Sequence, residues 1–321
     1  SQNFSYQEIA ILYRTNSQSR VLEEALRKKG IPYRIYGGLS FYQRKEIKDV
    51  IAYCRLVANH HDEEALKRII NVPARGIGDT TVAKLLDCAR TQAVSVWDVL
   101  NDMLAYNLQV NAGTATKLAN FRKVISVFAA QTETLNAYEL MLQIVKVSGI
   151  INDTYVDKSP EAMSRQENVQ ELLKAVHEFC EQKTTAGETA FLADFLSEVS
   201  LLTDQDTGDD SEAEKITMMT VHAAKGLEFR AVFIVGMEED LFPSGYSLDS
   251  DRSLEEERRL FYVAITRAEE LCFISYSKSR FRNGKTNMSN PSRFIRDIDP
   301  QYLDAPAERP ETRWKGNADW D

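Results

Sequence analysis

A glycine-rich phosphate loop is missing from this sequence. The pattern G-x-x-x-x-G-K-[ST] occurs nowhere in its 321 residues, so Ala224-Lys225-Gly226 does not begin one. Long apolar runs are missing too: no stretch of about 18 uncharged apolar residues exists, which excludes a membrane-spanning helix. The opening SQNFSYQEIA has neither a basic nor an apolar segment, so no secretory leader is expected there. Cysteine is scarce, and Cys54, Cys88, Cys180 and Cys272 stand far apart with no C-x-x-C pair and no nearby histidines. That pattern argues against zinc and against a disulfide framework, and it fits a reducing cytoplasm. No internal repeat or low-complexity tract is evident.

What is present is an ordinary globular balance, 43% apolar and 27% charged, at a length that suggests roughly two domains of about 150 residues. Acids outnumber bases 48 to 39, for a net charge of −9. An acidic total argues against a nucleic-acid partner only if the charge is evenly spread, and here it is not. Residues 1 to 48 carry nine cations against four anions. From 277 to 296 there are Lys278, Arg280, Arg282, Lys285, Arg293 and Arg296, with no acid. Asp204 to Glu214 holds six acids and Gly208, the composition of an exposed linker. Local sign decides which surface meets a polyanion.

Strand and helix alternate at both ends. Ile9 to Arg14 is a short apolar run suited to a buried parallel strand. The next helix buries Val21, Leu22, Ala25 and Leu26, with Asn16 or Ser17 as its cap and Lys28-Lys29-Gly30 as its end. Ile31 to Gly37 is the second strand. From Phe41 to Thr203 the period becomes helical: Glu46–Ala58, Glu63–Ile70, Thr80–Arg90, Val96–Tyr106, Thr114–Ala130, Ala137–Val147, Glu161–Glu181 and Thr189–Leu202, with no convincing strand. Alternation then resumes with strands at Ile216–Val221, Ala231–Gly236 and Leu271–Ser277 and a helix over Leu254–Arg267. The expected fold is therefore α/β: a parallel-sheet domain assembled from both ends of the chain, with an all-helical domain inserted. The prolines and missing periodicity after Pro300 predict an extended tail.

Three segments carry chemistry. In ITMMTVHAAKGLEFRAVFIVG a buried strand ends at Thr220 in a small polar turn, where side chains are expected at the carboxyl edge of the sheet. Thr220 and His222 suit a phosphate backbone, Lys225 adds charge, Gly226 permits close approach, and Glu228 offers a carboxylate to a sugar hydroxyl. An ordinary strand–loop–strand with a satisfied histidine is the alternative. In EEERRLFYVAITRAEELCFISYS the helix delivers Arg267 just before a strand, where it can stabilise a transferring phosphoryl group or simply pair with Glu269, Glu270 or Glu255–Glu257. In NVPARGIGDTTVAKLL, Gly76-Ile77-Gly78 turns with Ile77 inward and Asp79 or Thr80 capping the next helix. Its amides, with Arg75, Thr80 and Thr81, form a phosphate site that reads no bases; a plain interhelical turn is the alternative. Ser148-Gly149-Ile150 is a weaker second copy. The acids of VFIVGMEED, without a phosphate loop, read as a strand leaving the core.

TVHAAKGLEF, VAITRA, LYRTNSQSR and ARGIGD, in their order and spacing, resemble the second half of UvrD/Rep/PcrA-type superfamily 1 DNA helicases, closest to the bacterial PcrA/UvrD branch. The resemblance runs from Ile9 to Phe294, with TVHAAKGLEF similar to motif V and VAITRA to motif VI. It implies a RecA-like motor domain 2A from 1–43 and 206–299, an inserted helical domain 2B over 44–205, and a tail over 300–321. It implies that Arg267 touches the ATP γ-phosphate and Glu228 the ribose. Thr220, His222, Arg14 and Asn16 would meet the tracked single strand, and the Gly76–Gly78 hairpin with Arg75, Thr80 and Thr81 would hold duplex. The Walker A lysine, Walker B acids, motif III and the upstream arginine of motif IV are absent. The chain is therefore expected to be a C-terminal fragment that does not hydrolyse ATP alone, its Mg2+ ligands lying in the missing N-terminal half.

The implied activity is 3′-to-5′ translocation and unwinding with ATP and Mg2+, in repair and replication, in the cytoplasm at the nucleoid. The implied partners are single-stranded and duplex DNA, the N-terminal half, and repair or replication-initiator proteins. A non-catalytic DNA-binding or partner-docking module, and the motor of an AddA- or RecB-type helicase–nuclease, remain alternatives. Gly37-Gly38 and Asp204–Glu214 are the expected hinges for a swinging helical block.

Overall fold

A computed structural model of the chain describes residues 4–152, 157, 159–205, 214–248, 250–282 and 285–304. The apolar runs at the two ends build one five-stranded parallel sheet. Its strands are β1 (Ile9–Tyr13), β2 (Tyr33–Ile35), β3 (Ile216–Thr220), β4 (Phe229–Ile234) and β5 (Ala268–Ile274), in the order β2-β3-β1-β4-β5. Central β1 comes from the first residues and both its neighbours from the last third, so neither end closes the sheet without the other. Tyr13 is level with Thr220, and Leu12 with Ile234. The run of β1 and β3 is buried almost throughout, as parallel strands covered by helices require.

One sheet face packs on α10 (Asp251–Ile265). Leu12, Met219, Val232 and Ile234 join Phe261 and Ala264 of that helix, with Phe242 and Phe294 closing the cluster. The three phenylalanines pack ring on ring at 5.8–6.3 Å.

Between β2 and β3 the described residues form helices and no strand, under a separate apolar cluster. These are α2 (Lys45–Ala58), α3 (Glu63–Ile69), α4 (Asp79–Gln92), α5 (Val96–Asn101), α6 (Ala112–Ala129), α7 (Ala137–Ser148), α8 (Pro160–Thr185) and α9 (Leu192–Gln205). Tyr53, Leu56, Phe121, Phe128, Ile144 and Leu172 are fully or almost fully buried there. Helix α5 stops at Asn101 rather than Tyr106, because the Asp102 carboxylate accepts from Ala105 N at 2.9 Å and starts a new turn.

Helix α8 docks on α1 (Ser19–Lys28), the helix after β1. Arg20 of α1 is buried and reaches Glu171 at 2.7 Å and Glu178 at 2.9 Å on α8, and Glu24 at 2.9 Å on its own helix. Burial pulls Arg20 down, but Glu171 first, then Glu24 and Glu178, hold its guanidinium above the ordinary arginine value. Arg44 adds bonds to Asn168 at 2.9 Å and to Ser19 at 2.6 Å.

Several expectations shift by local chemistry. A 3-10 turn, Asn16–Gln18, precedes α1, with Thr15 as its N-cap and Gln18 completing the capping box, so neither Asn16 nor Ser17 caps the helix. The basic stretch after Ser277, which carries no apolar alternation, forms an antiparallel hairpin, β6 (Ser279–Arg282) with β7 (Lys285–Met288), followed by the short α11 (Arg293–Arg296). Phe281 of β6 stacks on His177 of α8 at 4.2 Å. Glu238 and Glu239 of VFIVGMEED are engaged by Arg280 at 2.5 Å and Arg293 at 2.7 Å. Most of the acidic linker, 206–213, and the tail from 305 onward lie outside the described residues.

Candidate functional site

The polar segment after β3 does not lie at one edge of the sheet. β3 climbs to Thr220 at the carboxyl edge, level with Tyr13. β4 starts again at Phe229, at the amino edge, where it pairs with Ala268. Residues 221–228 therefore descend the height of the sheet, roughly 16 Å for five strand steps. Thr220 and His222 stand at the top, whereas Glu228 and Arg267 stand at the bottom. The expectation that the whole segment shares the carboxyl edge is corrected by this topology: β1 separates β3 from β4, so the chain must return before β4 begins.

At the amino edge Arg267 follows α10 and precedes β5. Its guanidinium donates to Leu227 O at 2.9 Å, Val263 O at 3.1 Å and Thr266 Oγ1 at 3.1 Å. Its own carbonyl accepts from Phe229 N at 2.9 Å. The side chain thus pins the end of α10 to the segment entering β4. Glu228, exposed, is the residue next to the carbonyl that Arg267 holds. Gly226 sits at φ +85° in open space, a conformation glycine adopts freely. Arg267 pairs with none of Glu255–Glu257, Glu269 or Glu270 in these bonds; its partners are neutral oxygens that a stronger acceptor can replace.

The carboxyl edge gathers Arg14 from the end of β1, Thr220 and His222 from the end of β3, and Asn16, exposed in the 3-10 turn. Arg14 grips Glu257 of α10 through Nη2 at 2.6 Å and through Nε at 3.0 and 3.1 Å. Glu257 also accepts from Ser244 N at 3.3 Å and from Ser247 Oγ at 3.2 Å. Burial raises this carboxylate, but the Arg14 bond and charge, helped by the two serines, leave it below the ordinary glutamate value. His222 is held below the usual imidazole value by desolvation first and by Arg14 second, with Glu257 opposing. Thr220 Oγ1 accepts from Ala223 N at 3.3 Å, so the hydroxyl shapes its own turn.

Because the folded pKa of Glu257 is depressed, its contribution to stability is complete above the unfolded value of about 4.5 and fades as pH falls through the folded value. Glu257→Gln is therefore expected to flatten the acid limb of the stability profile below about pH 5, read by melting temperature against pH. An unchanged acid limb would contradict the assignment.

Gln18 and Gly236, which stand outside the sequence-predicted site, also shape this edge. Gln18 Oε1 accepts from Arg14 N at 3.0 Å and Thr15 N at 2.9 Å, fixing the turn that carries Arg14 and Asn16. The T-x-x-Q spacing of a capping box was the available signal. Gly236, at φ +73°, leaves room for it: a Cβ there would sit 2.3 Å from Gln18 Nε2 and 2.9 Å from Leu241 Cδ2. Gly236→Ala is expected to cost about 1–3 kcal/mol, seen as a lower melting temperature together with loss of the order around Arg14.

The helical region holds the third set apart from both edges. Gly76 turns at φ +67°, Ile77 is buried, and Gly78, not Asp79 or Thr80, is the N-cap of α4, with no side chain on the first-turn amides. Those N–H groups form the dipole end that suits a phosphate. Thr80 is exposed and Thr81 half-buried beside them. Arg75 turns inward: its Nη1 donates to Val72 O at 2.8 Å, Ile69 O at 3.1 Å and Pro73 O at 3.2 Å, and its Nη2 to the Tyr53 hydroxyl. An outward cation at this turn is Lys117, which lies outside the motif and whose Nζ donates to Gly76 O at 3.2 Å. Gly149, in the weaker copy, ends α7 at φ +76° as its C-cap. Among the described residues no group of three or more His, Cys, Asp or Glu side chains is placed to hold a metal ion, and no helix is long and apolar enough to cross a membrane.

A sheet with arginines at opposite edges, closed by strands from both chain ends around a helical insert, defines a recognisable class. Residues 1–279 match the UvrD-like helicase C-terminal domain, and the chain belongs to that family. It is 43% identical over 311 residues to the ATP-dependent DNA helicase PcrA of Bacillus subtilis, covering 95% of this chain and 41% of the relative. It is 40% identical over 301 residues to PcrA of Staphylococcus aureus, covering 93% of this chain and 40% of that protein. PcrA of Staphylococcus epidermidis is 41% identical over 302 residues. The chain thus spans about two fifths of the length of these curated relatives.

Proposed function

We propose that this chain is the second motor domain and the duplex-contacting domain of an ATP-dependent DNA helicase that moves 3′ to 5′ on single-stranded DNA. In this reading residues 1–43 and 206–299 are the RecA-like domain 2A, 44–205 are the inserted domain 2B, and 300–321 are a tail. The observation that carries it is the division of charged groups between two sheet edges with α10 running from one to the other. Glu257 on that helix holds Arg14 at the carboxyl edge, and Arg267 follows its end at the amino edge.

Arg267 and Glu228 face the nucleotide, which the N-terminal half holds from the other side. Arg267 gives up neutral carbonyl acceptors for the terminal phosphate, whose charge-assisted bonds are roughly twice as strong. Glu228 accepts from the ribose hydroxyl. Bound Mg2+ supplies charge neutralisation at the phosphates, and its ligands belong to the N-terminal half. Phosphate contact favours a closed pair of motor domains only to the extent that Arg267 binds better when closed. Thr220, His222, Arg14 and Asn16 face the single strand, and the amides of Gly76 and Gly78 with Thr80, Thr81 and Lys117 face duplex phosphates. Arg75 shapes that turn from inside. Alone, the chain lacks a phosphate loop and should not hydrolyse ATP. The cellular setting of this reading is the cytoplasmic nucleoid, in repair and replication, alongside repair or initiator proteins.

Strand displacement by the complete protein tests the proposal. A partial duplex with a 3′ single-stranded tail should be unwound when ATP and Mg2+ are present, and one with a 5′ tail should not. Displacement from 5′ tails only, or without ATP, would reject it.

A further inference from the structure

Glu257 is an acid at the edge that a polyanion is proposed to approach. It is 5% exposed, and its carboxylate has no acceptor position to spare. Its two oxygens take Arg14 Nε at 3.0 and 3.1 Å, Arg14 Nη2 at 2.6 Å, Ser244 N at 3.3 Å and Ser247 Oγ at 3.2 Å, and a carboxylate offers about four lone-pair sites. The guanidinium it holds is only partly used. Arg14 Nη1 donates to nothing among the described residues, and the Arg14 side chain is 20% exposed. The backbone beneath is fixed on both sides. Tyr13 O accepts from Val221 N at 2.9 Å, and Arg14 N donates to Gln18 Oε1 at 3.0 Å. With the main chain anchored and the Nε–Nη2 edge clamped, the guanidinium has one orientation and presents its Nη1 edge.

We propose that Glu257 is a positioning residue for the single strand: it clamps one edge of the Arg14 guanidinium so that the free Nη1 edge meets a backbone phosphate. The inference rests on the proposed function in one respect, that Arg14 faces the strand. Two effects oppose each other. By charge alone a carboxylate repels a polyanion, so its removal should tighten binding. By orientation its removal should weaken binding, because a freed arginine swings on its long stem and must lose that freedom again at the phosphate. Orientation wins here. The Glu257 charge is already met by Arg14 and is screened over about 8 Å at physiological salt, whereas the geometry of a direct contact is not screened. Arginine is required for this arrangement, since its planar fork serves a carboxylate on one edge and a phosphate on another. Glu257 also lies on α10, about three turns before Arg267. The helix that carries Arg267 to the amino edge therefore sets the aim of Arg14 at the opposite one.

Binding of a fluorescein-labelled oligothymidylate to the complete protein, measured across a range of salt concentrations, tests this. Arg14→Ala should weaken binding roughly tenfold and make the slope of log K against log salt shallower by about 0.7, the value of one phosphate contact on a single strand. Glu257→Gln keeps the shape but turns an amide N–H toward the guanidinium. It should reproduce both changes, and adding it to Arg14→Ala should produce no further one. A carboxylate with a structural role alone would lower the melting temperature and leave the slope unmoved. Arg14→Lys leaves Glu257 untouched and serves where Glu257→Gln does not fold. Its single ammonium is taken by the carboxylate, so it should bind as weakly as Arg14→Ala. Parental or tighter binding by Glu257→Gln, parental binding by Arg14→Lys, or a further loss in the double variant overturns the inference and leaves the proposed strand path standing. Parental binding by Arg14→Ala overturns both.

Discussion

Replacing Arg267 by alanine in the complete protein is expected to lower ATP turnover by roughly 10³-fold or more, the range of an arginine contributed to a phosphoryl group in flight, while single-stranded DNA is still bound. The split follows from the topology. Arg267 lies at the amino edge, and the residues proposed for DNA lie a sheet height away. The substitution also removes the bonds to Leu227 O, Val263 O and Thr266 Oγ1. Three neutral bonds of that kind are worth about 0.5–1.5 kcal/mol each, so some stability is lost as well. Arg267→Lys separates the two effects. Lysine keeps the charge and packs its stem alike, but it lacks the fork that holds two partners at once. Turnover should stay low in the lysine variant while melting recovers toward the parent. If Arg267→Ala leaves turnover intact, the residue is only the staple seen between α10 and β4.

The second large effect is expected at Arg20. Its guanidinium is almost fully enclosed, with Glu24, Glu171 and Glu178 around it. Arg20→Ala leaves three carboxylates facing one another across the contact between α1 and α8. Breaking a buried charge network by removing one partner typically costs about 3–5 kcal/mol. Lys174, 3.9 Å from Glu171 and 3.6 Å from Glu178, takes up part of the imbalance and places the expectation at the lower end. The loss should concentrate at the contact. Hydrogen exchange should quicken along α8 and around His177, whose ring also rests on Phe281, more than within the cluster around Tyr53 and Phe121. Uniformly raised exchange would mean that Arg20 supports the whole fold and not a contact between two parts. We propose that this contact is what a swinging helical block must release, turning at Gly37-Gly38. If so, crosslinking across it in the complete protein should alter unwinding.

The inner strands of the sheet were legible because β1, β3 and β4 are short unbroken apolar runs, and the helical insert because its period changes at Phe41 and changes back after Thr203. The hairpin β6–β7 was not, since Lys278 to Met288 is polar and basic with no alternation to betray a strand. Arg75 read as a phosphate ligand because it adjoins a glycine turn. In this structure its acceptors are the carbonyls of Ile69, Val72 and Pro73 near the end of α3 and the Tyr53 hydroxyl, and backbone acceptors leave no mark in a sequence. The motifs around His222 and Arg267 were visible at once, but their separation to opposite edges was not. It depends on β1 being inserted between β3 and β4, a long-range fact that eight residues of turn cannot announce.

Under the proposed function Arg267 meets the terminal phosphate of a nucleotide held by the N-terminal half. A structure of the complete protein with a non-hydrolysable ATP analogue and Mg2+ tests it most directly. Arg267 nitrogen atoms are expected about 3 Å from oxygens of the terminal phosphate, with the bond to Leu227 O released. A nucleotide seated in the cleft while Arg267 still holds Leu227 O and Val263 O, away from every phosphate oxygen, would contradict it.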